Sequence, residues 1–313
     1  MTSPSRARGA LEQAAALVAT AGDRPASRPQ VTGVFDAATG SVSYLVADAD
    51  SDACAVIDSV LDFDAASGRT GTTALERIAS LIAERSLRLE WILETHVHAD
   101  HLSAAPGLQG RFGGRTAIGR EVRRVQATFG PLFNICADVA TNGRAFDRLF
   151  ADGDGFRIGG LEALVLHVPG HTPACVAYVI GDAVFVGDTL FMPDYGSARC
   201  DFPGGDAAQL HRSARRLLGL PPETRMFVGH DYKAPGRETY AWETTVALQR
   251  AGNIHLNDTV DEAAFVRLRT ERDRTLPVPR LFLPSVQVNL QAGRLPPPEG
   301  NGIRYLKIPM DAI

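Results

Sequence analysis

The sequence predicts an α/β fold, with two sheets packed together and helices on the outside. Two observations carry that expectation. Short runs of β-branched and apolar residues precede a helical pattern in the first half, and the same order recurs in the second. Hydrophobic residues make up 45% and charged residues 22% of the 313 residues, which is ample for a sizeable buried core.

Residues 1–30 read as a loosely attached extension, helical or disordered. Ala10 to Ala19 suits a short Ala-rich helix, and Gly22 to Pro29 breaks it. Arg6 and Arg8 precede this stretch, but Glu12 and Gln13 interrupt it, which argues against a signal peptide. Residues 31–313 read as one domain, with a helical and Pro-rich C-terminal extension from about 236. Val31–Phe35, Val42–Ala47 and Ala53–Ile57 are strand candidates separated by Gly, Ser and Asp. Thr73–Arg85 has helical periodicity, because Leu75, Ile78, Ala79 and Ile82 share a face. Leu89–Leu93 reads as a buried strand, and Leu102–Gln109 as a helix starting at Asp100 or His101. Leu161–Val168, Cys175–Ile180, Ala183–Val186 and Arg225–Val228 are the strands of the second half. Asp206–Leu218, Arg237–Ala251 and Val260–Thr275 are its helices, and the tail from Leu276 carries few regular signals.

A net charge of -4 gives no general attraction to nucleic acid. No apolar run approaches the roughly 20 residues needed to cross a bilayer. Cys54, Cys136, Cys175 and Cys200 include no C-x-x-C pair, so a reducing compartment, the cytoplasm, is the simplest context. Cys54 and Cys136 read as small buried hydrophobes; Cys175 and Cys200 lie nearer to candidate site residues. Lysine occurs only at Lys233 and Lys307.

The chemistry concentrates in Thr95-His96-Val97-His98-Ala99-Asp100-His101, directly after the apolar run Trp91-Ile92-Leu93. Imidazole and carboxylate suit zinc, iron and manganese. The bland alternative is a polar turn with incidental histidines. With only 8 His in the chain, three within one hexapeptide fit that alternative poorly. Three later segments follow the same design: Pro169-Gly170-His171, Gly187-Asp188-Thr189 and Gly229-His230-Asp231 each end an apolar strand. Each is weak alone, since such residues often just satisfy a turn. Together they place ligands from several loops at one point. His167, out of step in its strand, and His211 and His255, in expected helices, read as structural.

In this order the residues resemble the ligand set of the metallo-β-lactamase superfamily, whose fold is an αββα sandwich with the metal at one edge of two paired, mixed sheets. The resemblance covers roughly residues 30–235. Other segments are similar to persulfide dioxygenases, also called sulfur dioxygenases. They are Ala99 between His98 and Asp100, Pro173 and Cys175 after His171, and Arg199-Cys200-Asp201-Phe202 after Asp188. Leu283-Pro284-Ser285-Val286-Gln287-Val288-Asn289 and Leu295-Pro296-Pro297-Pro298-Glu299 resemble the bacterial branch, extending the similarity over nearly the whole chain beyond residue 30.

That resemblance implies an enzyme oxidising glutathione persulfide, or another low-molecular-weight persulfide, with O₂ to sulfite and the thiol. It implies one Fe(II) per chain held by His96, His171 and Asp188, a facial triad with open positions. His98, Asp100, His101 and His230 would then surround the iron, or hold a second metal in a relative carrying two Zn ions and hydrolysing a glutathione thioester or lactone. A non-catalytic sulfur-sensing module is the third alternative. Arg199 and Tyr232 are the implied substrate contacts, with Tyr195 and Lys233 behind them. The link from Asp188 to Arg199 is longer than in mitochondrial-type enzymes, through Met192-Pro193-Asp194-Tyr195-Gly196-Ser197-Ala198. The tail could close over the site or pair with another subunit, so a homo-oligomer stays open.

Overall fold

The structure, a computed structural model, describes residues 4–135 and 142–312. Cys136 lies outside the described residues. Two six-stranded sheets form the centre. The first contains β1 (Gln30–Asp36), β2 (Ser41–Ala47), β3 (Ala53–Ile57), β6 (Arg88–Leu93), β8 (Arg115–Gly119) and β9 (Arg148–Phe150), in that order. The second contains β10 (Gly155–Ile158), β11 (Leu161–His167), β12 (Val176–Ile180), β13 (Ala183–Phe185), β14 (Arg225–Phe227) and β15 (Glu243–Thr245). Both are mixed: β3, β6, β8 and β9 run parallel, as do β13 and β14, and the other neighbours are antiparallel. A small sheet joins β4 (Val60–Asp64) to β5 (Arg69–Gly71) and β7 (Leu102–Ser103).

Three apolar layers explain the αββα sandwich. Between the sheets, Val42, Tyr44 and Leu93 of the first meet Val165, Phe185 and Phe227 of the second. The Tyr44 ring sits edge-on to Phe185 and Phe227, at 5.2 and 5.5 Å. The outer face of the first sheet packs Leu45, Val56 and Ile92 beneath Leu75, Ile78 and Leu108 of helices Thr73–Glu84 and Ala105–Phe112. The outer face of the second packs Leu166, Val179 and Val184 beneath Leu210, Ala214 and Leu217 of helix Ala207–Leu217. Covered on both faces, β2, β3 and β12 are buried throughout and read as continuous apolar runs rather than alternations.

Five expectations change. The supposed loose arm is helix Pro4–Asp23, and it is docked. Ala10, Ala14, Val18 and Ala21 recur every third or fourth residue, and all are buried; the first three join the layer under the second sheet's outer face. Replacing Ala14 by Glu should therefore cost about 3 kcal/mol, by placing a carboxylate where no partner waits. An unchanged melting temperature would show the helix to be undocked. The helix expected from Asp100 or His101 begins instead at Ala105, with Pro106 in its first turn, because Leu102–Ser103 pair with Val60 and Leu61 as a strand. The helix expected over Arg237–Ala251 is confined to Val246–Gly252. Arg237 is drawn onto Asp231 and Asp194, and Val228 N–H bonds to Trp242 O, so the intervening chain folds back as a loop. Finally, the tail contains helix Phe282–Asn289, which packs Phe282, Val286 and Leu290 against Val97 and Phe129. His255 also lies in a turn rather than a helix, where its Nδ1 accepts from Ser197 N–H at 3.1 Å.

Candidate metal centre

Strand ends gather the ligands. The His96–His101 loop leaves β6, His171 follows β11, Asp188 follows β13 and His230 follows β14. The two sheets are clipped together at that edge, since Val42 N–H donates to Gly229 O at 2.9 Å and Ser41 bridges His230. The glycine turns before His171, Asp188 and His230 are tight. A side chain at Gly170, whose φ is +148°, would lie 2.4 Å from the Leu210 backbone nitrogen. One at Gly229 would lie 2.7 Å from Asp188 Oδ1, so glycine there leaves the carboxylate its room.

His96, His171 and Asp188 offer ligand atoms within 4.8 Å of one another. Asp188 Oδ2 lies 3.9 Å from His96 Nε2 and 3.7 Å from His171 Nε2. Its Oδ1 faces His230 Nε2 at 3.3 Å, and His230 Nε2 lies 3.6 Å from Asp100 Oδ2. His98, Asp100 and His101 form a second such group. The imidazoles of His96, His98, His101, His171 and His230 are all buried.

Hydrogen bonds fix which nitrogen each ring offers. Carbonyl oxygens only accept, so His171 Nδ1–H donates to Arg199 O at 2.7 Å and His101 Nδ1–H to Leu102 O at 3.0 Å. Thr95 Oγ1 donates to Asp58 Oδ2 at 2.7 Å and accepts from His96 Nδ1–H at 3.0 Å. His98 Nε2–H donates to Asp58 Oδ1 at 2.9 Å, with Glu94 Oε2 at 3.3 Å. That leaves Nε2 of His96 and of His101 as the nitrogen offering its lone pair. His96 Nε2, His98 Nδ1, His101 Nε2 and Asp188 Oδ1 are buried without a hydrogen-bond partner. Orphaned buried acceptors cost free energy, and a cation satisfies them. The residues present therefore fit a bound metal.

Electrostatics divide the rings: against its burial, the Asp58 and Glu94 carboxylates hold His98 well above its ordinary pKa. Burial and the neighbouring imidazoles hold His96 well below its ordinary pKa, and burial with His98 brings His101 down to about 4. Both rings are thus neutral donors at pH 7. Burial opposes charge on Asp100, yet His230 and His101 keep its carboxyl below the usual range, and Ser41 Oγ donates to it at 3.0 Å. Cys175 and Cys200 are buried, and burial pushes both thiols up to about 12, so neither is a thiolate. Cys54, likewise buried within β3, is also free.

A cleft of about 370 Å³ opens onto the ligands; Asp100, His171, Asp188, Tyr195, Arg199 and Tyr232 are on its wall. Tyr232 is exposed and stacks on His230 at 5.4 Å. Arg199 is engaged, with two parallel bonds to Asp201 (2.7 and 2.8 Å) and a third to Pro277 O. Lys233 does not line the cleft: its ammonium stands over the Tyr240 ring at 4.3 Å. The sequence reading missed Asp58, Glu94 and Asn289 in the framework of the centre. Asp58 was findable, because it ends the apolar strand β3 as the other ligands end theirs. His167 bonds Pro173 O through Nε2 and stays outside the ligand groups.

Comparison with known proteins matches this geometry. The family model of the metallo-β-lactamase superfamily covers residues 37–230. A probable metallo-hydrolase of Burkholderia pseudomallei is 55% identical over 90% of this chain and 99% of its own. A β-lactamase hydrolase-like protein of Xylella fastidiosa is 51% identical over 91% of this chain, which spans only 65% of that protein's length. Human mitochondrial persulfide dioxygenase ETHE1 is 28% identical over 83% of this chain and 87% of its own. The crystal structure of ETHE1 from Myxococcus xanthus superposes with a TM-score of 0.67 at 29% identity, over 85% of this chain and all of that one. The matched stretch contains every ligand from His96 to His230, and the folded sheets bring those ligands to one point, so the chain belongs to the metallo-β-lactamase superfamily.

Proposed function

We propose that the protein is an Fe(II)-dependent persulfide dioxygenase acting on glutathione persulfide or a similar small persulfide. One observation carries the reading: a two-His, one-carboxylate group converges beneath a cleft, and two of its members, His171 and Asp188, stand in the cleft wall. The likeness to the two ETHE1 proteins supports it. The overall reaction balances as RSSH + O₂ + H₂O → RSH + HSO₃⁻ + H⁺. Iron held by three protein ligands supplies redox chemistry and open positions for small molecules.

The chain's own residues do the rest. Thr95 and the Arg199 carbonyl hold the His96 and His171 rings in one tautomer and orientation. Asp188 would add the negative charge that draws in a divalent cation. Tyr195 and Tyr232, 5.4 Å apart, give the cleft a wall for the carrier thiol, and Arg199 lines it with them. No protein nucleophile is needed, in keeping with the buried, protonated cysteines.

One observation favours a second reading, a dinuclear zinc hydrolase: His98, Asp100 and His101 form a second ligand group, and Asp188 Oδ1 faces it through His230. The Burkholderia and Xylella relatives, a probable metallo-hydrolase and a β-lactamase hydrolase-like protein, favour hydrolysis. Metal analysis after anaerobic purification, with O₂ uptake on glutathione persulfide, separates the two. About one iron per chain with sulfite production is the expected result. Two zinc ions with thioester cleavage and no O₂ uptake would overturn it.

A further inference from the structure

Asn289, the last residue of helix Phe282–Asn289, is buried beneath the ligand loop although it lies almost two hundred residues further along the chain. Its Nδ2 donates to His98 O at 2.9 Å and to His101 O at 2.8 Å. Its Oδ1 accepts from Ser103 N–H at 2.8 Å. Both amide donors are thus used on the backbone carbonyls of two candidate ligands, and the acceptor on the residue that closes the loop. The linkage continues through side chains. Ser103 Oγ donates to Glu94, and Glu94 Oε2 lies 3.3 Å from His98 Nε2. Asn289 thus grips the loop at three backbone points, and Ser103 links the third of them to Glu94 beside the His98 ring.

We propose that Asn289 is a positioning residue of the metal centre, so the C-terminal helix helps to hold the His98–His101 loop in ligating geometry. The proposal needs neither iron nor zinc in particular, and so stands apart from the reaction assigned above. Only an amide of this length satisfies two carbonyls and one N–H together. Neighbouring Gln287 serves as a control. It sits on the same helix, but its side chain pairs with the Lys307 backbone at 2.7 and 2.8 Å, away from the ligands.

The test uses the full chain, loaded anaerobically with Fe(II) or with Co(II) alone. Release of iron to excess chelator and the visible spectrum of the Co(II) form are measured for Asn289→Ala, Asn289→Asp and Gln287→Ala. The two Asn289 variants should lose metal affinity by roughly 10–100-fold, the effect of removing an outer-sphere support, and shift the Co(II) bands. Gln287→Ala should keep the wild-type value. Asn289→Asp retains the acceptor for Ser103 and is read alone if the Ala variant does not fold. Wild-type metal retention in the folded Asn289 variants overturns the proposal. So does an equal loss in Gln287→Ala, which would mean that the helix matters only as packing.

Discussion

Asp188→Ala is expected to abolish turnover and empty the primary metal position. The Asp188 carboxylate reaches three imidazoles: Oδ2 approaches both His96 and His171, and Oδ1 approaches His230. Without it, His96 and His171 face one another with no carboxylate between them. Gly229, kept free of a side chain against Asp188 Oδ1, then borders an empty space. The loss should exceed the roughly 10–100-fold that outer-sphere changes cause, because a direct ligand and its charge disappear together. Asp188→Asn is the sharper variant, since it keeps shape and removes charge. Iron content and O₂ uptake on glutathione persulfide read the result. An Asp188→Ala protein that retains one iron and full uptake would sink the triad.

The reach of the sequence differs between the site and its frame. The ligands were legible because each follows the C-terminal end of an apolar strand, with glycine making the turn before His171, Asp188 and His230. The sandwich was legible from the same strands and from the periodic face of Leu75, Ile78 and Ile82. The docked N-terminal helix was hidden because its stripe consists mostly of alanines, whose small areas give a weak apolar signal although they bury fully. The short strands β9, β10 and β15 are only three or four residues long, too brief for any period to show. Asn289 was invisible for another reason. Its role exists only through bonds to His98 and His101, and nothing near it in sequence reports them. Arg199 shows the limit of residue type. The resemblance implies a substrate contact there, yet the fold spends much of its guanidinium on Asp201 and Pro277.

Arg269→Ala is expected to be the most destabilising single change away from the ligands. Arg269 is 1% exposed, ion-pairs with Asp273 and donates to Ser197 O at 3.0 Å. Asp273 in turn accepts from Cys200 N–H at 2.9 Å. The pair therefore pins Ser197 and Cys200 on either side of Arg199, whose carbonyl orients His171. Truncating the arginine leaves a buried carboxylate without its partner, which typically costs about 3–5 kcal/mol. Asp273→Ala should cost a comparable amount, because the charge it leaves behind is equally buried. The double variant should lose clearly less than the sum, since neither charge then remains uncompensated. Denaturant unfolding of the metal-loaded chain measures all three. Strict additivity would show that the two residues act independently. A second consequence follows from the position of Arg199: with its carbonyl released, His171 loses the acceptor that fixes its tautomer. Arg269→Ala should then also hold metal less tightly, whereas a loss of stability with unchanged metal affinity would confine the pair to the scaffold.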